Sequence, residues 1–456
     1  MRTIGMDLGV SGSHTAVIAD ETGRFITPLL KLHTDIHDLD QLLARTAGDS
    51  EREPVQVVME PTGMAWFPLA IHFTRQKVPV YLVNPQQTAS LRQFYKRHAK
   101  SDKIDARVLA KLPMVNGEQM YSLSLPTNLT QACRRACKEL QRVTAQITAI
   151  HNRIRDIDRF AWPGLKASLF KQTCSPRSQW IRQHWYNPSQ VVAAGVQHIQ
   201  RAWRASGIDP DDPGEWVPLL VKTAQSTLQL YGAEGHYLDY DLLQAEICRE
   251  QDHMHYLQSV AHDVRQNTLY PLYKQIHPSR NLETIKGVGK DGAAVYASFI
   301  SDPARFASLR TFRGWSGMVP NSKQSADSEA KGLHITQAGP NLIKKFAYIN
   351  ADVARLWDPQ IAAIYYDQMV HKGKHHTQAV CACATHLLDR ILIVLREDRP
   401  YELRDVNGKP VSSAEAKAII AQRYRVPDDV RRRNTKRARR RRTDTRAERK
   451  QRGKAA

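Results

Sequence analysis

Four acidic residues within the first 105 positions stand where carboxylates do chemistry rather than decorate a surface. Asp7 lies inside RTIGMDLG, whose alternation sends Ile4, Met6 and Leu8 to one face and Gly5, Asp7 and Gly9 to the other, the period of a β-strand. An acid in the middle of a core strand is costly unless it is used. Glu60 ends the apolar strand VQVVME, directly before Pro61-Thr62-Gly63. Asp102 and Asp105 are three residues apart in a helical segment and so share a face. Acids at the ends of adjacent buried strands, joined by a helix face, can converge on divalent cations. Mg2+ prefers such hard oxygen ligands, and a pair of ions can clamp both the attacking and the leaving oxygen of a phosphoryl transfer. Taken alone, Asp102 and Asp105 read as a solvated helix face; Asp7 is what argues for chemistry.

Basic residues surround this pattern. Lys100, Lys103 and Arg107 interleave with the two aspartates in KRHAKSDKIDAR, a company suited to holding a phosphate backbone against metal ions. Gly287, Gly289 and Lys290 in IKGVGK resemble a helix-hairpin-helix turn, whose backbone N–H groups face a phosphate without reading bases. Lys344 and Lys345 in NLIKKF, and Arg439, Arg440 and Arg441 near the C-terminus, complete the residues expected to meet nucleic acid. The polar loop NSKQSADSEAKG holds Ser322, Ser325 and Ser328, none of them in a GxSxG or SxxK motif, so a serine nucleophile there needs activation from outside the loop. His371, His375 and His376 read as a basic loop rather than as metal ligands, and Cys133/Cys137 and Cys381/Cys383 as helix-packing residues. A rival reading exists for DLGVSGSHTAV, which also looks like the first phosphate loop of actin-like ATPases, although no second such loop or adenosine motif follows.

The elements that must position these groups fall into three regions. Residues 1–115 read as α/β: three consecutive strands (RTIGMDLG, SHTAVIAD, RFITPLLKL), then the helix IHDLDQLLART, the strand VQVVME, the helix WFPLAIHFTRQ and the strand VPVYLVNP, closed near Pro113 by two helices. That order predicts a mixed sheet rather than a doubly wound parallel one. Residues 125–275 are helical, with one heptad seam at Leu140, Val143, Ile147, Ile150, Ile154 and Ile157 and another through Tyr240, Leu243, Ile247, Met254 and Leu257, where Glu250 takes an apolar residue's place. These coiled-coil helices flank a Trp- and Pro-rich insertion of shorter helices. Residues 280–427 are mostly helical and carry the serine loop; residues 428–456 are an Arg-rich tail expected to be disordered.

Composition bounds the partners. The formal charge of +21 and pI of about 9.8 favour a polyanion. Between Arg431 and Ala456, fourteen Lys/Arg against Asp444 and Glu448 leave +12, so more than half of the excess sits on the tail. A mean hydropathy of −0.49 and the lack of an eighteen-residue apolar run argue against a membrane span. A strand that begins at once leaves no room for a secretion leader, and six cysteines without a CxxC pair point to free thiols in a reducing cytoplasm.

Taken in order, GMDLG, VMEPTG, SDKIDAR, GVGKDGAAVYASFI, GMVP, the Ser-rich loop, the Ile335–Gly339 segment and HKGKHHTQAVCACATHLL resemble the DEDD-type insertion-sequence transposases, the family of Piv-like DNA invertases and bridge-RNA-guided recombinases. The resemblance covers both terminal regions. It implies a RuvC-like, ribonuclease H-type domain with the metal-binding tetrad Asp7, Glu60, Asp102 and Asp105. It further implies a C-terminal transposase domain whose serine becomes covalently linked to DNA at a composite site, in a homo-oligomer working with a structured guide RNA. Counting back from Ile335–Gly339 by the family's spacing selects Ser325 over Ser322 and Ser328. The competitor with the same metal chemistry is a hydrolytic RuvC-like Holliday-junction nuclease that uses water.

Overall fold

The computed structural model describes residues 1–46, 53–95, 101–117, 120, 122–165, 169–170, 174–208, 212–232, 237–321, 324–325, 328–329, 333–336 and 338–452. Lys100 and Ser322 lie outside these, as do the side chains of Ser325, Ser328 and Arg441. The chain forms two compact units, Met1–Thr127 and Asn128–Ala456.

The first unit is built on a five-stranded sheet in the order β3-β2-β1-β4-β5, with β1 (Arg2–Asp7), β2 (His14–Ala19), β3 (Leu30–Leu32), β4 (Val55–Met59) and β5 (Val80–Leu82). β1 is antiparallel to β2 and parallel to β4, and β5 is parallel to β4, so the sheet is mixed as expected and compatible with a ribonuclease H-like fold. Ile4, Met6, Val57 and Met59 point to one face and are covered by Leu39 and Leu42 of α1 (Ile36–Ala44) and by Leu69, Ala70 and Phe73 of α2 (Trp66–Arg75). Each of the larger buried side chains, Ala70 excepted, contributes about 1.5–3 kcal/mol. The odd-numbered face of β1 is covered by α4 (Asp102–Asn116), through Ala106 and Ala110, and α3 (Pro85–Tyr95) precedes it. Both faces of β1 are therefore buried, which leaves Asp7 at the strand's C-terminal end as its polar exit.

Two expectations are corrected here. RFITPLLKL is not one strand: Leu30–Leu32 forms β3, while Phe25 makes only an isolated bridge to Ala19, and Pro28 between them cannot donate to a ladder. Helix α4 does not stop at Pro113 but carries it internally and runs to Asn116.

In the second unit, α5 (Asn128–Ala161) and the helix Tyr240–Asp263 pack antiparallel within one chain. The Tyr240 hydroxyl donates to the Ala161 carbonyl at 2.8 Å, and further along Arg153 grips both oxygens of Glu250 at 2.7 Å each. The acid that interrupts the second seam is thus matched by a guanidinium opposite it. Between these helices, Pro176–His184, Pro188–Ala205 and Pro213–Tyr231 each begin with proline behind a capping Ser175, Asn187 or Asp212. They enclose a separate core in which Trp203 lies 5.1 Å from Trp180 and 5.2 Å from Trp216, centroid to centroid. Asp158 and Arg182 form a fully buried ion pair in this core, at 3.1 and 2.5 Å.

The C-terminal helices include Lys290–Ile300, Leu309–Ser316, Asn341–Ala354, Pro359–Tyr366 and His376–Glu397. The last is long and apolar enough to cross a membrane, but its apolar residues, among them Val380, Leu387, Leu388, Ile391 and Leu392, are buried in the protein core. The segment before IKGVGK is only a 3-10 turn, Asn281–Thr284, not the full helix expected. The tail differs most from expectation: Asp428–Arg452 is helical, and its start is docked rather than disordered. Val430 and Asn434 are buried, and the Asn434 amide donates to the Met369 carbonyl at 2.8 Å and the Lys374 carbonyl at 3.0 Å. Two apolar or amide anchors one helical turn apart give the charged segment a nucleus that composition alone does not reveal.

Candidate active site

The site is assembled by strand register and one close helix approach. Met6 pairs with Met59 in the parallel β1–β4 ladder, so the next residues, Asp7 and Glu60, emerge side by side at the C-terminal ends of the two strands. Glu60 follows Val58 at the strand period and Asp7 follows Gly5, which places both acids toward the face covered by α4. There α4 rests almost on the β1 backbone: a Cβ at Gly5 would meet the Ala106 carbonyl oxygen and the Ala110 nitrogen, each at 2.3 Å. One and four residues earlier on that helix stand Asp105 and Asp102, in its first turn behind the capping Ser101 hydroxyl.

The four carboxylates occupy different surroundings. Asp105 is 7% exposed and accepts from the Arg92 guanidinium at 2.7 Å. Asp102 is exposed, 3.7 Å from the Lys31 ammonium, which itself donates to Thr15 at 2.7 Å. Asp7 and Glu60 are half-buried. Asp7 feels all the others: burial, then the charges of Asp105, Asp102 and Glu60, push its carboxyl up to about 6, against a backbone N–H bond from Leu8 that favours the charged form. A cluster of hard oxygen donors whose central member is destabilised by its neighbours' charge fits a divalent cation, which would relieve that repulsion. Among the described residues, the group with ligand atoms within 4.8 Å of one another is a different one, His33, Asp35 and Asp38. That group is explained locally, since Asp35 caps α1 by accepting from the Asp38 amide and Asp38 accepts from the His33 amide. No three of the tetrad acids meet that spacing, although all of the other three act electrostatically on Asp7.

Sequence reasoning missed Arg92 and Lys31, the two cations that pair with the outer acids. Arg92 lies in a plain amphipathic helix and Lys31 in a short edge strand, and no motif marks either.

The expected nucleic-acid contacts divide. Lys103 and Arg107 are exposed on α4, with the Arg107 guanidinium 5.2 Å from the Phe25 ring centre. Gly289 and Lys290 are exposed at the start of Lys290–Ile300, where Lys290 lies over the Tyr270 ring. Gly287 has a packing reason instead: its φ is +93°, and a Cβ there would come 2.6 Å from the Asn350 carbonyl. The Lys344 ammonium donates to the Ala338 carbonyl at 2.9 Å and is partly desolvated, so it braces the segment after the serine loop, whereas Lys345 is exposed. Arg439 and Arg440 are exposed on the C-terminal helix. His376 is held between the Tyr365 hydroxyl at 2.8 Å and Asp352 at 3.5 Å, a packing role. Cys133, Cys137 and Cys383 are buried helix residues, and all six thiols are free.

In the second unit, Gln324–Ser325 pairs antiparallel with Ser328–Glu329, with the Ser325 backbone opposite that of Ser328. The Ile335 end of this loop returns to bridge Pro320.

Comparison with known proteins gives one direction. A family model described as a transposase matches residues 4–163, and the model of the IS116/IS110/IS902 transposase family matches residues 279–366. An uncharacterized 43.6 kDa protein of insertion element IS110 from Streptomyces coelicolor is 24% identical over 311 residues, 68% of this chain and 74% of that one. An uncharacterized 44.8 kDa protein of insertion element IS116 from Streptomyces clavuligerus is 22% identical over 404 residues, covering 87% and 95%. A pilin gene-inverting protein of Moraxella bovis is 26% identical over 128 residues, 28% of this chain and 40% of that protein.

Proposed function

Since the chain belongs to the DEDD-type insertion-sequence transposases, we propose that it cuts and rejoins DNA through a covalent phosphoserine link at a composite site, with Asp7, Glu60, Asp102 and Asp105 on one side and Ser325 on the other. The observation that carries this reading is the gathering of four acids from β1, β4 and α4 around Asp7, held by the close approach of Ala106 to Gly5. Those four side chains would hold Mg2+, which supplies Lewis-acid stabilisation of charge on phosphate oxygens and a lowered pKa for a bound hydroxyl. Everything else is work for the chain itself.

The serine Oγ forms a bond to phosphorus while the bond from phosphorus to one sugar oxygen breaks, and the sugar leaves as a hydroxyl carrying the serine's proton. Attack by a second strand's hydroxyl reverses the step, restores the phosphodiester and returns the proton to serine. Bond energy is conserved, so no nucleotide cofactor is consumed. Lys103 and Arg107, exposed on the same first turns of α4 as the acids, suit the backbone phosphates flanking the scissile one. Donor and target DNA, a structured guide RNA and further copies of the chain are the partners this reading calls for. Ser325→Ala tests it: the denaturation-resistant protein–DNA species disappears while RNA binding persists. An undiminished adduct in that variant sinks the serine assignment, and DNA cleavage without any adduct favours the hydrolytic nuclease.

A further inference from the structure

Over its described side chains, residues 428–440, the C-terminal helix Asp428–Arg452 is docked along one face and exposed to solvent along the other. Val430 and Asn434, four residues apart on the helix, are buried, and Ala438 is half-buried in the same row. At 3.6 residues per turn this is a single stripe. Opposite it lie Arg432, Arg433, Lys436, Arg439 and Arg440, all exposed, with Arg431 and Arg437 on the flanks. No carboxylate among the described residues lies within ion-pair distance of Arg432, Arg433, Lys436 or Arg440. Such a helix is a poor candidate to form alone, since like charges four residues apart, as in Arg432/Lys436 and Lys436/Arg440, oppose it. Its start is instead clamped: the Asn434 amide, 4% exposed, satisfies the carbonyls of Met369 and Lys374 at the end of the π-helical turn Asp367–His371.

We propose that this helix is a pinned basic arm that binds the phosphate backbone of a nucleic-acid duplex, and that the Asn434 clamp sets which face the duplex meets. The charge densities match. Seven cations between Arg431 and Arg440 span about 14 Å of helix, and a duplex presents about eight phosphates over that length. A freely moving tail of the same composition would bind through charge alone, whereas a pinned arm also depends on its uncharged anchor. The arm lies outside the segments that match the transposase models, residues 4–163 and 279–366. It rests on the proposed function only for the identity of the polyanion.

The test is equilibrium binding of the full-length chain to a short DNA duplex, a short RNA duplex and a single strand across a salt series. Replacing Arg432, Lys436 and Arg440 together by Gln, all on the exposed face, lowers the slope of log affinity against log salt by roughly 0.9 for each phosphate that is no longer neutralised. Asn434→Ala, which keeps every charge, weakens duplex binding about tenfold through loss of its two hydrogen bonds and the docking they fix. The stronger of the DNA and RNA arms names the source of the duplex. An unchanged slope in the triple variant overturns the proposal, and so does unchanged duplex affinity in Asn434→Ala, which would make the tail a charge reservoir. A far-ultraviolet melt of Asn434→Ala guards against misfolding, and the triple variant, confined to the surface, carries the test if that variant does not fold. Binding to anionic vesicles in place of duplex also overturns it. No strand is cut in these measurements, so their failure leaves the roles of Asp7 and Ser325 standing.

Discussion

Gly5 of the central strand and Ala106 of α4 are so close that a Cβ on residue 5 would lie 2.3 Å from the Ala106 carbonyl oxygen. This closeness holds the site together, because Asp105 precedes Ala106 and Asp7 follows Gly5 on the same strand face. Strand and helix can bring their acids together only while residue 5 lacks a side chain.

Gly5→Ala therefore separates the two elements. Overpacking where two backbones touch costs about 1–3 kcal/mol or more, read as a drop in the unfolding midpoint. Affinity for Mg2+, measured by calorimetry on the folded fraction, falls with it, although no ligand has been replaced.

Asp7→Asn has opposite effects on stability and function. Burial and neighbouring acids raise the Asp7 carboxyl from 3.8 to about 6. An acid with a folded pKa above its unfolded value binds protons more readily in the folded chain, so its stabilising protonation is complete below 3.8 and is lost as pH rises through about 6. In EDTA at pH 7.5, Asp7→Asn is more stable than the native chain by about 1 kcal/mol, after discounting a half-exposed group for solvent screening. The gain vanishes below pH 4 or so, and added Mg2+ stabilises only the native chain. Equal stability of the two proteins at pH 7.5 in EDTA contradicts the crowding of charge at Asp7.

Asp158→Ala removes the carboxylate that faces the buried Arg182 guanidinium in the core of the Trp-rich insertion. The expected loss is about 3–5 kcal/mol in urea unfolding, and replacing both residues by apolar ones recovers most of it. The Arg153–Glu250 pair, half exposed on the arginine side, is worth at most about 1 kcal/mol by the same measurement.

Strands β1, β2, β4 and β5 were legible because period-two patterning and short apolar runs are local facts. Asp7 stood out as an acid on a core strand, although it closes that strand half-buried instead of lying in its middle; Asp102 and Asp105 alone read as a solvated helix face. The antiparallel helix pair was legible from its seams, and Glu250 looked like a flaw only because its partner Arg153 lies 97 residues away in the chain. What composition hid was tertiary. Asn434 is one amide in a run of arginines, and nothing nearby marks it as an anchor against the Met369 and Lys374 carbonyls. Arg92 and Lys31 likewise acquire their meaning only once Asp105 and Asp102 are beside them. Gly287 looked like a phosphate-facing turn residue and is required by the approach of Asn350.

The most direct measurement is to trap the protein–DNA species under denaturing conditions, digest it with protease and nuclease, and identify the nucleotide-bearing peptide by mass spectrometry. The expected result is a peptide spanning Ser325 with the nucleotide on its hydroxyl, formed only with Mg2+ and absent when Asp7 is replaced by Asn. A nucleotide carried by Ser322, Ser328 or another residue, or cleaved DNA with no linked peptide, would contradict the account.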